Sequence, residues 1–468
     1  MRAVAVILSG VLLVLPVPAV AAPGPADPLV AQLDQIFTDQ RLAGATVAAE
    51  VREAAGGRIV YQRAPGVRVL PASNQKLLTA AAALEVLGAG YRFRTTVRRL
   101  GRDLYLRGQG DPTLTYQRID RLAAAVAQRG TKRFTRLIVD DTWFDRVPLG
   151  LDWSWQDETY GFTAPVSALS FAANGRFDNA AVEIRYRGVA GRRPTVRVWP
   201  PTGRVRVVNR AVTRSGDSVG AVRAHGGAVV TVSGSVSAGR SGVALVSVPD
   251  PAATTAGLFR AALRRHGVTV TGRTSRGKLP GGTRAVAALV SRPLAEILPP
   301  FLKLSNNGIA ELLVKAMSRA ADPARPGNWP TGLAAATGAL GRLGVDTRLL
   351  TMGDGSGLSR RNWVTARQVA TLLERAQRRT WFPAFRAALP LAGAADPMVG
   401  GTLRNRMRGT AAAGNVRAKT GTLSGVNALS GYVTGADGRK LVFAFIVNAS
   451  VATAVPVLDS AAVTLATT

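Results

Sequence analysis

Near its start the chain changes from a helical to a strand pattern of apolar positions. In residues 28–41 apolar side chains recur three or four positions apart, which predicts a helix. Residues 45–51 and 58–62 are predicted to be two strands around a turn at Gly56-Gly57. These elements predict a mixed α/β arrangement for the first part of the chain.

The next segment, residues 73–87, is strongly apolar and ends at Gly88 and Gly90. Leucine, alanine and valine occupy positions on every side of the expected helix, so no polar stripe is left for solvent. We therefore predict a helix that is buried nearly all round.

The middle of the chain, residues 91–290, has a different pattern. Short antiparallel strands are predicted where β-branched residues and glycine dominate, in 97–106, 182–208 and 229–248. Helical spacing is confined to 118–129 and 253–266. We interpret this region as an insertion of one or two mainly β subdomains.

After residue 290 the helical pattern returns. Helices are predicted at 294–302, 308–320, 332–343 and 365–378, followed by a hairpin at 428–434 and 440–447 and a closing helix at 452–465. The hairpin and the two N-terminal strands can share one sheet. The fold class that follows is α/β (α+β), an antiparallel sheet flanked by helices, in a discontinuous domain of residues 28–90 and 291–468.

Residues 1–21 have the pattern of a secretory signal. Arg2 precedes an apolar run over residues 3–15, and Ala19-Val20-Ala21 offers a cleavage site. The alternative is an uncleaved anchor, but the run is shorter than the roughly 20 residues that span a membrane. We expect an exported, extracytoplasmic protein at the cell wall or the outer face of the membrane.

The composition limits the chemistry. The 468 residues contain no cysteine and two histidines, His225 and His266, which lack the spacing of metal ligands. We therefore expect no metal and no cofactor. Neither histidine lies in a recognisable Ser-His-Asp setting, so an enzyme built on this chain would take its base from a lysine.

The formal net charge is +32, and residues 166–290 hold 19 basic and 4 acidic side chains. An arginine-rich proteome and attraction to a polyanion explain this equally well. Nucleic acid is an unsuitable partner because the chain is predicted to be exported and has no nucleic-acid-binding motif. Anionic cell-wall polymer or the membrane surface fits better.

Ser73-Asn74-Gln75-Lys76 begins the apolar helix and is the first of three short motifs. A serine hydroxyl needs an adjacent base, and Lys76 lies on the same helical face as Ser73. The helix dipole and a nearby Lys419 would lower the pKa of Lys76. Alone, Ser73 would be read as a helix cap. Ser275-Arg276-Gly277-Lys278 has the same spacing, but it is predicted to be a solvated loop with no helix after it.

The other two motifs are Ser305-Asn306-Asn307 and Lys419-Thr420-Gly421, with Thr422 next. The hydroxyl of Ser305 could relay a proton between the two lysines, and the amide of Asn307 could hold Lys76 and a substrate carbonyl. On an edge strand Lys419 adds positive charge, the threonines can bind a carboxylate, and Gly421 allows close approach of the backbone. Each motif alone would be an ordinary cap or turn. The occurrence of all three in this order, each in a suitable secondary-structure setting, is improbable as a coincidence.

Motifs of this kind in this order are typical of β-lactamases and penicillin-binding proteins. The chain resembles the class C low-molecular-mass penicillin-binding proteins, the three-domain D-alanyl-D-alanine carboxypeptidase/endopeptidase family. Matching stretches are residues 108–114, 140–144, 153–165 and 354–360. Here the middle motif is Ser-Asn-Asn where the family pattern is Ser-Asp-Asn.

The resemblance implies a penicillin-recognising, transpeptidase-like catalytic domain that acts on peptidoglycan stem peptides and is acylated by β-lactam antibiotics. Ser73 would be the nucleophile, Lys76 its base, and the backbone N–H groups of Ser73 and Thr422 the oxyanion hole. Ser305, Asn307 and Lys419 would complete the catalytic set, and Thr420, Gly421 and Thr422 would hold the substrate carboxylate. A pocket for the stem-peptide side chain would be formed by Asp157, Phe162, Arg360 and Leu423, with Trp153 and Trp155 as apolar walls.

Two alternatives remain open: a β-lactamase or esterase of the same fold, and a catalytically silent wall-binding protein. The long insertion between the first two motifs disfavours the first alternative. The intact set of Ser73, Lys76 and Lys419 disfavours the second.

Overall fold

The computed structural model describes residues 28–468, so the predicted signal peptide at 1–21 lies outside the described residues. The α-helices are α1 Pro28–Ile36, α2 Gln75–Val86, α3 Tyr116–Ala127, α4 Pro251–Arg265, α5 Leu294–Lys303, α6 Asn307–Ala321, α7 Trp329–Arg342, α8 Ala366–Ala376, α9 Phe382–Ala387 and α10 Val455–Thr467. The strands are β1 Thr46–Glu53, β2 Ile59–Arg63, β3 Arg94–Leu100, β4 Asp103–Gly108, β5 Arg133–Phe134, β6 Arg136–Asp140, β7 Ala181–Val189, β8 Arg192–Trp199, β9 Arg206–Asn209, β10 Val212–Thr213, β11 Gly220–Arg223, β12 Val229–Ser233, β13 Ser235–Val236, β14 Ser241–Ser247, β15 Thr269–Val270, β16 Thr274–Arg276, β17 Arg284–Val290, β18 Arg417–Leu423, β19 Val426–Thr434 and β20 Lys440–Asn448.

The main sheet joins the two ends of the described chain. Its five strands lie in the order β18-β19-β20-β1-β2, and every neighbouring pair is antiparallel. This confirms the predicted fold class, in which the N-terminal strands and the C-terminal hairpin share a sheet. Strand β18, which carries Lys419, lies at one edge.

Both faces of this sheet are covered. Along β20, Val442, Ala444 and Ile446 pack into a core formed with α2 and α5–α9, while Phe443 and Phe445 pack on the opposite face with α1 and α10. The two-residue period of a strand places alternate side chains in the two cores, which explains its nearly continuous apolar sequence. The predicted all-round burial of the second helix is confirmed, since residues 75–84 of α2 are all buried.

The insertion has its own apolar core, built around α3, α4 and sheets of two to five strands. The prediction of antiparallel strands is only partly correct. The pairs β4–β6, β6–β16, β5–β15, β9–β12 and β10–β13 are parallel. Part of the reason is connectivity: α3 lies between β4 and β6 and makes a crossover, which a parallel pair requires.

The insertion leaves and rejoins the rest of the molecule through adjacent strands. Strand β17 pairs antiparallel with β3, so the chain returns at residue 290 beside the point where it departed near residue 94. Four buried residues of the insertion pack into the helical core that includes α2, namely Phe93, Phe144, Val166 and Ala168. The proposed domain limits, 28–90, 91–290 and 291–468, remain a prediction. Among residues 28–468 no helix combines the length and the apolar character that a membrane span needs.

Candidate active site

Ser73 lies in a 3₁₀ turn, Ala72–Asn74, that leads directly into α2. The helix therefore begins two residues later than predicted. Ala72 has a φ of +46°. Its carbonyl oxygen is in tight contact with Gly357, in the loop that follows α7. The Nζ atom of Lys76 is 2.9 Å from Oγ of Ser73, so the two groups are in hydrogen-bond contact. Ser73 is half-buried and Lys76 is fully buried.

Burial lowers the pKa of Lys76 from 10.5 to about 7, against the opposing effect of the carboxylates of Asp354 and Glu311. The expected cause was the helix dipole and Lys419, but desolvation of the ammonium is the main one. Lys76 also donates to the carbonyl oxygen of Ser356 at 2.6 Å. A neutral amine held by that carbonyl has its lone pair free for the hydroxyl proton of Ser73.

The loop that supplies this carbonyl is held by two buried carboxylates. Glu311 on α6 accepts hydrogen bonds from the backbone N–H groups of Gly355 and Ser356, at 3.0 and 2.8 Å. Asp354 accepts from the N–H groups of Gly357 and Ser359, at 2.7 and 2.8 Å. These donors fix the direction of the Ser356 carbonyl. The same loop packs on the Ser73 turn, because a Cβ on Gly357 would lie 1.9 Å from the carbonyl oxygen of Ala72.

Sequence reasoning assigned no role to Glu311, Asp354 or Ser356. Residues 354–360 carried part of the family resemblance, and Glu311 interrupts the apolar pattern of the second predicted helix after the insertion, 308–320. A carboxylate is rarely fully buried without partners, so its position in that pattern was the available signal. Burial and the nearby Asp354 raise the pKa of Glu311 to about 7.

Ser305 and Lys419 form the opposite wall. Nζ of Lys419 is 2.9 Å from Oγ of Ser305 and donates to its neighbouring carbonyl, that of Thr420, at 2.7 Å. Lys419 is fully buried, and desolvation, followed by the charge of Lys76, holds its pKa well below the usual range. The side chain of Asn306 caps α6 by accepting from the N–H group of Ile309 at 3.0 Å.

Asn307 was expected to hold Lys76. Its amide instead donates to the carbonyl oxygen of Phe162 at 2.9 Å, and no hydrogen bond joins it to Lys76 among the described residues. Asn307 therefore connects the second motif to the segment expected to form the side-chain pocket.

Strand β18 lies directly against the Ser73 turn. A Cβ on Gly421 would be 2.8 Å from the carbonyl oxygen of Pro71 and 3.1 Å from the backbone nitrogen of Ser73. This close contact explains why position 421 is a glycine, because a side chain there would collide with the turn. The Oγ1 atom of Thr420 is 2.8 Å from that of Thr402, and Thr422 is exposed to solvent.

Two of the residues expected in the side-chain pocket are hydrogen-bonded to residues in or beside the catalytic motifs, Phe162 to Asn307 and Arg360 to Ser424. Asp157 ends a 3₁₀ turn, and its carboxylate forms no hydrogen bond or ion pair with any other described residue. Phe162 is 47% exposed and stacks on Tyr160. Arg360 donates to the carbonyl oxygen of Ser424 at 3.4 Å, beside Leu423 at the end of β18.

The two tryptophans differ from the expectation of apolar pocket walls. Trp153 is half-buried and donates from Nε1 to Asp354 at 2.9 Å, which makes it a support of the Ser356 loop. Trp155 is 69% exposed and lies against His225, with ring centroids 4.8 Å apart.

The second Ser-x-x-Lys segment is unsuited to catalysis. Ser275 lies on the short strand β16, not in a loop as predicted, and is exposed. Arg276 pairs with Asp141 and Asp250, at 3.1 and 2.7 Å. Over residues 28–468 no group of three or more histidine or acidic side chains is arranged to hold a metal ion.

Comparison with known proteins gives consistent results. A profile of the D-Ala-D-Ala carboxypeptidase 3 (S13) family matches residues 29–468. Over 433 residues the chain is 45% identical to a D-alanyl-D-alanine carboxypeptidase of Actinomadura sp. (strain R39), covering 89% of this chain and 80% of that protein. It is 29% identical over 399 residues to the D-alanyl-D-alanine carboxypeptidase DacB of Haemophilus influenzae, covering 81% of this chain and 80% of that protein. The crystal structure of penicillin binding protein 4 (dacB) from H. influenzae matches with a TM-score of 0.78 at 24% identity, covering 92% of this chain and 97% of that chain, and shows the same fold.

Proposed function

This chain belongs to the D-Ala-D-Ala carboxypeptidase 3 (S13) family, and we propose that it cleaves peptidoglycan stem peptides through an acyl-enzyme on Ser73. The observation that carries this proposal is the 2.9 Å contact between Ser73 and a buried lysine whose pKa lies near 7. A serine beside a largely neutral amine has the base that nucleophilic attack requires.

In the first half of the reaction, Oγ of Ser73 attacks the carbonyl carbon between the two terminal D-alanines. Its proton passes to Nζ of Lys76, and the backbone N–H groups of Ser73 and Thr422 bind the oxyanion. When the C–N bond breaks, the proton held by Lys76 passes through the hydroxyl of Ser305, which contacts Lys419, to the leaving amine, so Lys76 becomes neutral again. D-alanine departs and an ester on Ser73 remains.

In the second half, a water molecule gives a proton to Lys76 and attacks the ester carbonyl. When the C–O bond breaks, Lys76 returns that proton to Oγ of Ser73, which restores the hydroxyl and releases the shortened peptide. Nζ of Lys419 and the hydroxyls of Thr420 and Thr422 would hold the terminal carboxylate of the substrate. Burial lowers the pKa of Lys419, and the bound carboxylate would favour its protonated form. A β-lactam, which presents a similar carboxylate and a reactive amide, would acylate the same serine.

The test is labelling with a fluorescent penicillin and release of D-alanine from a stem pentapeptide. Ser73→Ala should abolish both, while the fold is retained because Ser73 is only half-buried. Ser275→Ala is the matched control and should leave both unchanged. Labelling that persisted in Ser73→Ala would show that another residue is the nucleophile.

The unpartnered carboxylate of Asp157 supports a preference for stem peptides whose third residue carries a free amine. Peptides with that amine free should be cleaved faster than the same peptides with the amine acylated. Asp157→Asn should remove most of this preference and spare hydrolysis of a simple thioester. Equal losses on both substrates would show that Asp157 does not bind the side chain.

Members of a family that acts on the cell wall work outside the cytoplasm. We propose for this chain that the signal peptide at 1–21 is removed after Ala21, and that cross-linked peptides are cleaved as well as pentapeptides. N-terminal sequencing of the exported protein tests the first point. Mass analysis of digested peptidoglycan tests the second, because endopeptidase action releases monomers from cross-linked dimers.

A further inference from the structure

One sheet of the insertion has a solvent-exposed face rich in arginine. In the three-stranded sheet β14-β7-β8, one set of side chains packs into the core of the insertion, including Val182, Ile184 and Val246. By the two-residue period of strands, the opposite face carries Arg185 and Arg187 on β7 and Arg193 and Arg197 on β8. These four residues, here called the arginine face, are all exposed.

The charge of the arginine face is poorly compensated. Between Glu183 and Asp217 the sequence contains nine arginines and no acidic residue. Arg185 pairs with Glu183 at 2.6 Å, whereas Arg187 and Arg197 form no ion pair with any described carboxylate. Arg185 also lies directly opposite Arg197 across the β7–β8 pair. Like charges in that position destabilise a sheet, and a bound anion would remove the repulsion.

We propose that the arginine face binds a linear anionic phosphodiester polymer of the cell wall. Guanidinium groups bind phosphate oxygens through two parallel hydrogen bonds, and β8 is about 26 Å long at roughly 3.3 Å per residue, enough for several phosphates. A membrane surface is a less suitable partner, because segments that lie on membranes insert an apolar helical face. Among the large aliphatic side chains on this face of the sheet, Val243, which lies opposite Arg185, is strongly exposed, at 55%.

The sheet that carries the arginine face is joined at one end of β14 to the segment that leads to the candidate active site. Tyr160 forms a bridge with Val246 of β14, and Gly161 packs against Leu245 of the same strand. The next residue, Phe162, accepts the hydrogen bond from Asn307. A wall polymer held on this face would therefore keep the catalytic cleft beside its substrate. The inference rests on the proposed function, since it assumes that the enzyme works at the wall.

The experiment compares two triple variants of the mature chain with the wild type. One removes arginines of the face, Arg187→Ser, Arg193→Ser and Arg197→Ser. The control removes three exposed arginines elsewhere that form no ion pair with a described residue, Arg102→Ser, Arg284→Ser and Arg342→Ser. Both lose the same formal charge. Binding to purified poly(glycerol phosphate) is measured by titration at several salt concentrations, with anionic phospholipid vesicles as a second probe.

We expect the face variant to lose about tenfold or more in polymer affinity, with a weaker salt dependence, while the control stays near the wild type. Equal losses in both variants would show that only net charge matters and would overturn the inference. Vesicle binding that depends on the face while polymer binding does not would overturn it in favour of a membrane. Penicillin labelling is measured on the same samples. A wild type that is not labelled contradicts the proposed function, whereas normal labelling without polymer binding contradicts this inference alone.

Discussion

At the scale of single residues, the protonation of Lys76 should control the rate of acylation. Its pKa is lowered to about 7 by burial, and only the neutral amine can accept the proton of Ser73. Acylation should therefore rise with pH through about 7 and fall about tenfold per unit at lower pH. Stopped-flow acylation by a chromogenic β-lactam between pH 5 and 9 measures this. A rate that stayed constant down to pH 5, in protein shown to be folded, would contradict Lys76 as the base.

Glu311 should affect that profile without touching the substrate. It accepts from the N–H groups of Gly355 and Ser356 and from Nε1 of Trp329, at 3.0, 2.8 and 2.7 Å. Glutamine has one acceptor oxygen, so Glu311→Gln leaves a buried donor facing an amide NH₂. The Ser356 carbonyl should then lose its alignment on Lys76. A cost of about 1–3 kcal/mol in the transition state would slow acylation roughly 10- to 100-fold.

The pH profile separates this role from simple loss of structure. Ionised Glu311 raises the pKa of Lys76, so its removal lowers that pKa. Because the pKa of Glu311 is itself about 7, the acid limb of the rate profile should move to lower pH mainly near pH 7, where wild-type Glu311 is still partly ionised. Glu296→Gln, the same change on an exposed helical site, is the control and should leave rate and profile as in the wild type. A slower Glu311→Gln variant with an unmoved acid limb would show that Glu311 supports the fold only.

The catalytic residues that contact each other could be predicted from their spacing in the sequence. The residues that hold them in position could not. Three positions on one helical turn bring Lys76 to Ser73, which is a local property of the chain. Glu311 and Ser356 are 45 positions apart in sequence, and their contact depends on how α6 packs against the loop. The expectation for Asn307 shows the same limit, because its partner Phe162 lies in the insertion.

At the scale of elements, the edge strand β18 must lie close to the turn that precedes α2. In Gly421→Ala the new methyl group would meet the carbonyl oxygen of Pro71 and the backbone nitrogen of Ser73. The strand would have to move away from Ser73, which displaces the N–H group of Thr422 and the side chain of Lys419. We expect acylation to fall about 100-fold, since small displacements of catalytic groups are costly.

The matched control for this change is Gly66→Ala, because a Cβ at Gly66 meets no atom within 4 Å and its φ is not positive. Acylation rates and melting temperatures of both variants are compared. The effect of Gly421→Ala should be larger on acylation than on stability, because β18 is an edge strand with room to shift. A Gly421→Ala enzyme with normal acylation would mean that the close packing of β18 on the turn is not required.

Helices were predicted more reliably than strand pairing, for a physical reason. The apolar period of α5 and α6 is written in consecutive residues, and their observed bounds differ from the predicted ones by one residue. Pairing depends on which distant segments meet. Strand β6 pairs parallel with β4 and with β16, and nothing local in residues 136–140 indicates either neighbour.

At the scale of the whole molecule, the insertion is joined to the helical core by side chains that reach across. Phe144 packs in that core and forms a bridge with Gly327. The next residue, Asp145, donates its backbone N–H to Gly327 at 2.9 Å and pairs with Lys315 of α6. Composition and pattern predicted that an insertion exists, but they contained no sign of this joint, because it consists of a few contacts between remote segments.

Asp145 should therefore contribute to the stability of the joined structure. Lys315 is fully buried. Its Nζ atom lies 2.5 Å from Asp145 and 3.8 Å from the centre of the Trp329 ring. Asp145→Asn leaves that ammonium without its carboxylate, at a cost of about 3 kcal/mol, and should lower the urea midpoint of unfolding. Asp217→Asn, which breaks an exposed pair with Arg240, is the control and should cost less than about 1 kcal/mol.

Adding Lys315→Met to Asp145→Asn removes the unpaired charge and should recover part of the loss. If the double variant were no more stable than Asp145→Asn alone, the loss would arise from the backbone of the joint and not from the buried charge.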